Sequence, residues 1–303
     1  MLLFAGSVRR RLLHHSISVR LFLVGLLGLI LLKVAPTSEV GNNDESVLVI
    51  ANGPSLSHDI KAFDLGNYDA SVAVNFFAAT DWFEIVRPKY YFIQDPFWFE
   101  PLRNLGPKAS SVFAGISEKL TWNMELMFPA EYSDCETILA LGKNSNITLR
   151  PLAQYTWPSF VGLMSTVDLL PHFSQANRRQ IFRLWDRGLA QVLTNGVVQT
   201  TMFEFIRNGA RKIDVLGLDM SMALDLAVDE KGQTQYYPRH FYGKATIPEK
   251  PLSGDRANKM ADSYRAIAQK FDVFDLLAGY SMHRGCRVRN LSSLTLLDSF
   301  PRQ

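Results

Sequence analysis

The chain has few cysteines, and it lacks the spacings that bind zinc. Its 303 residues include two cysteines, Cys135 and Cys286, and neither belongs to a C-x-x-C pair or a cysteine–histidine cluster. A structural zinc site is therefore not expected. A single disulfide between the two thiols would need an oxidising compartment, and the sequence leaves that question open.

The body of the chain also lacks a basic tract, an internal repeat and a low-complexity segment. The 32 basic and 29 acidic residues give a net charge of +3, and the first 33 residues carry much of the positive charge. Surfaces that bind nucleic acid are marked by clustered Lys and Arg, so we expect no nucleic-acid partner. The content of 47% apolar and 20% charged residues is typical of a globular protein with a substantial core.

Residues 1–38 contain no acidic side chain, which indicates a membrane or targeting segment. Four arginines precede the apolar run 21–32, and the apolar stretch continues to about residue 36. This is shorter than the roughly 20 residues that span a bilayer comfortably. A cleaved signal peptide, a mitochondrial presequence and a buried helix therefore remain alternatives. We expect a signal-anchor that contacts the membrane through residues 21–36, with its basic end in the cytosol.

The anchor divides the chain into three parts and predicts its location. These parts are a basic tail with the anchor over residues 1–38, a polar linker over 39–46, and one domain over 47–303. The orientation predicts a single-pass type II protein, in the Golgi of a eukaryote or at the inner membrane of a bacterium. A reversed insertion would place the domain in the cytosol. Glycosylation sequons at Asn146 and Asn290 agree with the first orientation, although such triplets also arise by chance.

Short apolar runs alternate with helical patterns in the domain, as in α/β proteins. Residues 47–51 predict a buried strand, which a turn joins to a short helix near His58 capped by Ser55 or Ser57. The patterns predict further strands at 70–75, 90–95, 112–116, 137–141, 147–149, 212–219 and 286–290. They predict helices at 76–85, 178–192, 196–208 and 255–270.

Polar residues end four of these strands. Their positions are Asn52, Asn75, Asp95 and Asp219. Because ligands bind beyond the carboxyl ends of parallel strands, we expect the four side chains to meet in one crevice. The alternative is that Asn and Asp simply favour turns.

Two stretches predict anion binding, and a third predicts proton transfer. Helices are expected to begin after Asn52-Gly53-Pro54-Ser55 and after Thr194-Asn195-Gly196, and the free N–H groups at a helix start favour an anion. The segment 236–244 is rich in Tyr, His, Arg and Lys. His240 is its candidate for proton transfer, although a lone histidine is more often structural.

Six short motifs follow one another along the domain. They are Ile50-Ala51-Asn52-Gly53-Pro54-Ser55-Leu56, Val74-Asn75-Phe76-Phe77, Leu193-Thr194-Asn195-Gly196-Val197, Leu216-Gly217-Leu218-Asp219, His240-Phe241-Tyr242-Gly243-Lys244 and Asn290-Leu291-Ser292-Ser293. Together they resemble the motifs of the bacterial sialyltransferases of glycosyltransferase family 42 and of related polysaccharide-cluster proteins. The resemblance covers roughly residues 46–300, with a poor match from about 100 to 185.

The resemblance implies a fold, a donor and a set of binding residues. The fold is α/β, a Rossmann-like, mostly parallel sheet with helices on both faces and a small lid over about 221–254. The donor is a CMP-activated acidic sugar, sialic acid, which is transferred to a glycan acceptor with inversion and without a cofactor or an obligatory metal. The donor-binding residues that the resemblance implies are Asn52, Asn75, Thr194, Asn195, Gly196, Asn290 and Ser292, and the strand-end and turn patterns add Gly53, Pro54, Ser55 and Asp95. At the position of Asp95 members of the family often have Asn, a departure that bears on the identity of the donor. Within this set, the resemblance implies that Asn52 and Asn75 hold the cytidine phosphate.

The implied catalytic positions depart from the family pattern H-Y-x-G-H. The second histidine, which is the general base in that pattern, is Lys244 here, and the tyrosine that steadies the phosphate is Phe241. A lysine needs a strongly lowered pKa to act as a base. We therefore expect Lys244 and Tyr242 to neutralise the leaving phosphate, while His240 or Asp219 deprotonates the acceptor.

Two other functions remain open at this point. A phosphoryl- or pyrophosphoryl-transferring enzyme on a related fold would use Asp95 and Asp219 to bind a metal. A non-catalytic relative would keep the fold and bind a nucleotide without turnover. The sequence leaves the acceptor, the linkage and the oligomeric state open.

Overall fold

A parallel sheet of seven strands forms the centre of the fold. The computed structural model describes residues 15–19, 22, 44–99, 106–152, 172–190, 192, 196–241, 243–244 and 259–302. The strands of the sheet are β1 (Ser46–Ile50), β2 (Ala70–Val74), β3 (Tyr90–Phe92), β4 (Met124–Pro129), β5 (Ile147–Leu152), β6 (Lys212–Leu216) and, after two short hairpins, β11 (Arg287–Asn290). The hairpins pair β7 (Leu226–Val228) with β8 (Thr234–Tyr236), and β9 (Arg239–His240) with β10 (Gly243–Lys244).

Strand β1 lies inside the sheet because nearly all of it is apolar. Val47 and Val49 pack into the core on one face, and Leu48 and Ile50 pack into the core on the other. Burial on both faces is typical of parallel strands. The predicted strand at 47–51 is thus confirmed, and its neighbours in the sheet are β2 and β6.

Helices cover both faces of the sheet. They are α1 (Leu56–Asp59), α2 (Trp82–Val86), α3 (Pro107–Lys119), α4 (Glu136–Leu141), α5 (Gln175–Asp186), α6 (Val197–Arg207) and α7 (Met260–Arg284). Helices α5, α6 and α7 supply Trp185, Phe203 and Tyr280 to one core. Helices α2 and α3 supply Phe83 and Phe113 to the other. The chain is therefore an α/β protein with a Rossmann-like parallel sheet, as expected.

Two predicted strands are helical. The segment 112–116 lies inside α3 and 137–141 lies inside α4. In α4, Ile138 and Leu141 are buried while Leu139 between them is exposed, which is the spacing of a helix and not that of a strand. The short apolar runs did not distinguish the two periods, and the pattern also missed β4.

Three predicted helices have different limits, and the one expected at 178–192 is α5, which ends at Asp186. The helix expected at 76–85 is divided into a 3₁₀ turn, Asn75–Ala79, and helix α2. Between them, the Thr80 hydroxyl donates to the carbonyl of Phe77 at 2.8 Å and closes the first turn. The last helix continues to Arg284, where Gly285 ends it with a φ of 68°.

Residues 15–19 pack against helix α5. Ile17 is 2% exposed and belongs to the same core as α5. The Asn177 amide donates to the Ser18 hydroxyl at 2.9 Å, and the Gln180 amide donates to the Ser18 carbonyl at 3.1 Å. Most of the predicted anchor, residues 21–36, lies outside the described residues. Within the part of the chain that is described, no helix combines the length and the apolar character needed to cross a membrane.

The order of the strands locates a crevice. The sheet runs β11-β6-β1-β2-β3-β4-β5, so the chain builds outward from β1 to one edge and then returns to place β6 on the other side of β1. The strand order reverses between β1 and β6. In open parallel sheets, ligands bind at the carboxyl ends of the strands beside such a switch point.

Candidate functional site

A cleft of about 650 Å³ opens at the switch point. Its floor is made by the turns that follow β1, β2 and β6. Its walls come from the first turn of α6, from the middle of α7, and from the hairpin strand β9. A cleft of this size is within the range of small-molecule sites.

Most of the predicted site residues that the structure describes line this cleft. They are Asn52, Gly53, Pro54, Asn75, Asp95, Gly196, Asp219 and His240. The prediction that four polar strand ends converge is therefore confirmed. Thr194, Asn195, Tyr242 and the side chain of Lys244 lie outside the described residues.

Gly53 brings the β1 and β6 turns together. Its N–H donates to the carbonyl of Gly217 at 2.8 Å. A Cβ on Gly53 would lie 2.4 Å from that carbonyl oxygen and 2.7 Å from Oδ2 of Asp219. Only glycine allows this close approach of two backbone segments.

Asp219 is bound to the turn that was predicted to bind an anion. Its Oδ2 accepts from the Ser55 N–H at 2.7 Å, and its Oδ1 accepts from the Ser55 hydroxyl at 2.5 Å. Burial raises the pKa of Asp219, the hydrogen bonds from Ser55 oppose this, and the nearby charge of Asp59 adds to the increase. An anionic ligand at this turn would have to displace the carboxylate.

This arrangement corrects two predicted roles. Ser55 makes no capping hydrogen bond to α1, because its hydroxyl is used by Asp219. Helix α1 has only four residues, so it offers no extended N-terminus for a phosphate. Each oxygen of Asp219 accepts a hydrogen bond from Ser55, which stabilises the carboxylate form and so disfavours Asp219 as a general base. In the structure, Ser55 and Asp219 hold the turns after β1 and β6 together at the switch point.

Asn52 has a buried acceptor at the edge of the site, to which no described residue donates a hydrogen bond. Its side-chain amino group donates to the carbonyl of Val74 at 3.1 Å, which fixes the orientation of the amide. Its Oδ1 is buried and has no hydrogen-bond partner among the described residues. A buried acceptor without a partner is destabilising, and a donor group on a ligand would remove that cost.

Asn75 resembles Asn52 in this respect. Its backbone has a φ of 49°, in the left-handed region, and its carbonyl accepts from the Tyr91 hydroxyl. Its Oδ1 is also buried without a partner in the described part of the chain. Its side chain hydrogen bonds to the Asp95 carboxyl. The two asparagines are thus arranged to accept from hydroxyl or amino groups, whereas a phosphate needs donors.

Two residues that the sequence analysis missed form the wall opposite the strand ends. Lys270 of α7 and Gln199 of α6 both line the cleft, and the Gln199 amide donates to the Lys270 carbonyl at 3.1 Å. Lys270 lies on the helix face of Ile267 and Phe274, which are buried. The sequence did contain a signal for Lys270, because it is a lysine at a position where the helical spacing of apolar residues predicts a buried side chain.

Asp95 and Lys270 influence each other across the cleft. Burial raises the pKa of Asp95, while the positive charge of Lys270 and the hydrogen bond from Asn75 oppose the increase. Burial lowers the pKa of Lys270, and Asp95 opposes that decrease. Each group therefore favours the charged form of the other.

His240 lies on a hairpin that is fastened to the cleft. The N–H of Phe241 donates to the Asn52 carbonyl at 3.2 Å, which ties β9 to the end of β1. The adjacent Arg239 pairs with the buried carboxylate of Asp225. His240 thus lines the cleft on a hairpin that is attached to the end of β1.

Asn290 and Ser292 do not line the cleft. Both are fully buried. The Asn290 amide donates to the Leu218 carbonyl at 2.9 Å, and the Ser292 hydroxyl accepts from the Leu218 N–H at 2.8 Å. Their hydrogen bonds therefore stabilise the turn after β6, and neither residue is placed to contact a nucleotide in the cleft. Burial also makes the Asn290 sequon inaccessible in the folded domain.

The two cysteines are free thiols, so the disulfide left open by the sequence does not form. Among the described residues, no group of three His, Cys, Asp or Glu side chains is placed to hold a metal ion. Comparison of the chain with models of protein families, with curated proteins and with solved structures gives no match. The case for a function therefore depends on the cleft and on the six motifs.

Proposed function

We propose that this chain is a membrane-anchored, sialyltransferase-like glycosyltransferase that transfers an acidic sugar from a CMP-activated donor to a glycan acceptor with inversion. The observation that carries the proposal is the position of His240. It faces the switch-point cleft where Asn52 and Asn75 end their strands, and the hydrogen bond from Phe241 to Asn52 fixes it there. The proposed base and the proposed nucleotide crevice thus share one site.

The cleft suggests how the donor is held. Hydroxyl groups of the ribose, or the amino group of cytosine, are suitable donors for the unpaired oxygens of Asn52 and Asn75. One N–H of the Asn52 amide is already donated to Val74, which leaves a single N–H for a phosphate, whereas its Oδ1 has no partner among the described residues. We therefore assign the asparagines to the nucleoside part of the donor.

His240 is the proposed general base. It takes the proton of the acceptor hydroxyl as that oxygen attacks the anomeric carbon of the sugar. The bond between the anomeric carbon and the phosphate oxygen breaks on the opposite face, which inverts the configuration, and CMP leaves with the bonding electrons. Lys244 and Tyr242 keep their proposed role of neutralising the phosphate.

The lid and the anchor belong to the same proposal. The described part of the lid, 221–241 with 243–244, contains both hairpins, and its residues Arg239 and His240 line the cleft. The anchor is residues 21–36. A single span there would separate residues 15–19 from the domain, so the packing of Ile17 against α5 argues against a full span, and the anchor is the part of the proposal with the least support. The stability test of Ile17 described in the Discussion addresses this point.

Phosphoryl transfer is less well supported. A metal held by Asp95 and Asp219 would need free carboxylate oxygens. Both oxygens of Asp219 accept hydrogen bonds from Ser55. These hydrogen bonds use one lone pair of each oxygen, so a metal would compete for a carboxylate that already holds the β1 and β6 turns together.

A ligand panel tests the nucleotide preference. The full-length chain, purified in a mild detergent, is heated with CMP, UDP, GDP or ATP. We expect CMP to raise the melting temperature, since a ligand at 100 times its Kd stabilises by about 2.7 kcal/mol. Selective stabilisation by a diphosphate or triphosphate nucleotide would contradict the assigned donor.

Donor hydrolysis tests the role of His240. Release of CMP from CMP-N-acetylneuraminic acid is measured for the wild type, for His240→Ala and for His172→Ala, an exposed histidine outside the cleft. We expect His240→Ala to lose roughly 10²–10⁴-fold in rate while it keeps its response to CMP. His172→Ala should match the wild type. Equal turnover by all three proteins would refute His240 as the general base. A wild type that binds CMP but releases none from the donor would favour a non-catalytic relative.

A further inference from the structure

Lys270 is a cation at a position where the fold otherwise places apolar side chains. It lies in the middle of the 25-residue helix α7, three residues after Ile267 and four before Phe274, and both neighbours are buried. The hydrogen bond from Gln199 to its carbonyl attaches this turn of α7 to α6. The backbone below the lysine is thus held in place while its side chain lines the cleft.

The other charged groups of the described cleft wall have partners of their own. Arg239 pairs with Asp225, and Asp219 is held by Ser55. Lys270 interacts with the charge of Asp95. Among the described contacts, however, the two do not form an ion pair within 4.0 Å.

An ammonium group in such a position is costly without a close partner. Removing a charge from water is strongly unfavourable unless it is paired and hydrogen bonded. A lysine with a purely structural role is expected to close onto its counter-ion, and here the two remain apart across a cleft. Because both residues line the cleft, a ligand in the cleft can bring a group that hydrogen bonds directly to the lysine.

We infer that Lys270 forms the oxyanion subsite of the cleft, where it binds one phosphate or carboxylate group of the ligand, with Asp95 as its counter-charge when the ligand is absent. This inference rests on the proposed function, which supplies a ligand with both kinds of oxyanion. Lys270 lies outside the six motifs. The asparagines bind the hydroxyl and amino groups of the ligand, and Lys270 binds its charge.

The two sources of the oxyanion are separated by the choice of ligand. Cytidine carries neither group, CMP carries the phosphate, free N-acetylneuraminic acid carries the carboxylate, and CMP-N-acetylneuraminic acid carries both. Binding of each is measured by calorimetry to the full-length wild type and to Lys270→Gln, Lys270→Arg and Lys61→Gln. Lys61 is exposed and lies outside the cleft, so it controls for loss of one positive charge.

Lys270→Gln is expected to weaken the oxyanion ligands by roughly 10–100-fold, the effect of losing a charged hydrogen bond, and to leave cytidine unchanged. Weaker binding of CMP would place the phosphate at Lys270. If only N-acetylneuraminic acid and CMP-N-acetylneuraminic acid bind more weakly, the carboxylate lies at Lys270. Lys270→Arg should keep most of the affinity, and Lys61→Gln should match the wild type.

Asp95→Asn gives an independent test. It removes the negative charge that faces Lys270 and repels an incoming anion, so we expect the oxyanion ligands to bind several-fold more tightly. Unchanged melting temperatures and circular dichroism would show that all the variants fold. A lower affinity for oxyanions in this variant would argue against a counter-charge role for Asp95.

The outcomes separate this inference from the proposed function. If the wild type binds CMP and Lys270→Gln binds it and the sugar acids equally well, the oxyanion subsite is wrong and the proposed function is unaffected. If the wild type binds only the free sugar acid, and Lys270→Gln loses that binding, the subsite is supported and the nucleotide assignment is wrong. If the wild type binds none of the four ligands, both are overturned.

Discussion

Replacing Gly53 by alanine should destabilise the protein by an amount that the geometry allows us to estimate. The new Cβ would lie 2.4 Å from the Gly217 carbonyl oxygen, and real contacts of this kind are not shorter than 3.0 Å, so the two atoms must separate by at least about 0.6 Å. The separation weakens the bond from the Gly53 N–H to the same oxygen. Asp219 cannot move aside easily, because Ser55 holds both of its oxygens.

The expected cost combines the overlap and the weakened hydrogen bond. Overpacking costs roughly 1–3 kcal/mol, and a hydrogen bond contributes about 1 kcal/mol. We therefore expect a loss of about 2–4 kcal/mol. For a protein of this size that corresponds to a decrease in melting temperature of roughly 4–16 °C.

The assay is thermal and urea unfolding, followed by circular dichroism. Gly106→Ala is the matched control, because no atom lies within 4 Å of a Cβ at Gly106 and its φ is −64°. Gly106 is the N-cap of α3, where alanine is less favourable than glycine, so the control should unfold within about 1 kcal/mol of the wild type. If Gly53→Ala is equally stable, the β1 and β6 turns do not meet as described, and the cleft would lose its floor.

Three further predictions concern the remainder of the domain. Ile17→Ala should lower the free energy of unfolding by about 2–4 kcal/mol, while Val19→Ala, 44% exposed, should have no effect; equal stability of both with the wild type would show that residues 15–19 do not pack on the domain. Burial of Asp214 opposes its charge, but hydrogen bonds from an arginine and a tyrosine outweigh this and lower its pKa. Asp214→Asn should therefore lower the free energy of unfolding by about 3 kcal/mol at pH 7. This difference from the wild type, measured by urea unfolding, should disappear as the pH falls below about 4, and a difference that is independent of pH would contradict the reasoning. Burial raises the pKa of Cys286 to about 12, so a thiol reagent should modify Cys135 alone in the native protein, and rapid modification of both thiols would refute the burial.

The positions of the central strands could be predicted from the sequence because they are short, apolar and buried on both faces. The run 47–50 has no other stable location than the inside of a sheet. The convergence of Asn52, Asn75, Asp95 and Asp219 also followed, since the carboxyl ends of parallel strands share one edge. These predictions needed only the period of the apolar residues and the direction of the strands.

The remaining parts depend on contacts between distant segments, which no local pattern contains. Ser55 was expected to cap a helix, but its hydroxyl bonds to Asp219, which is 164 residues away. The fully buried positions of Asn290 and Ser292 likewise depend on Leu218. Lys270 was overlooked because a single lysine in a long helix is usually at the surface, and only the location of the cleft gives it a role.

The most direct test of the central claim is hydrogen exchange of the full-length chain with and without saturating CMP, read by mass spectrometry. Binding at the switch point should slow exchange in peptides that contain 51–54, 74–76 and 217–219, and leave those from β5 at the far edge of the sheet unchanged. Protection confined to other segments, or no protection at all, would show that this cleft is not the nucleotide site.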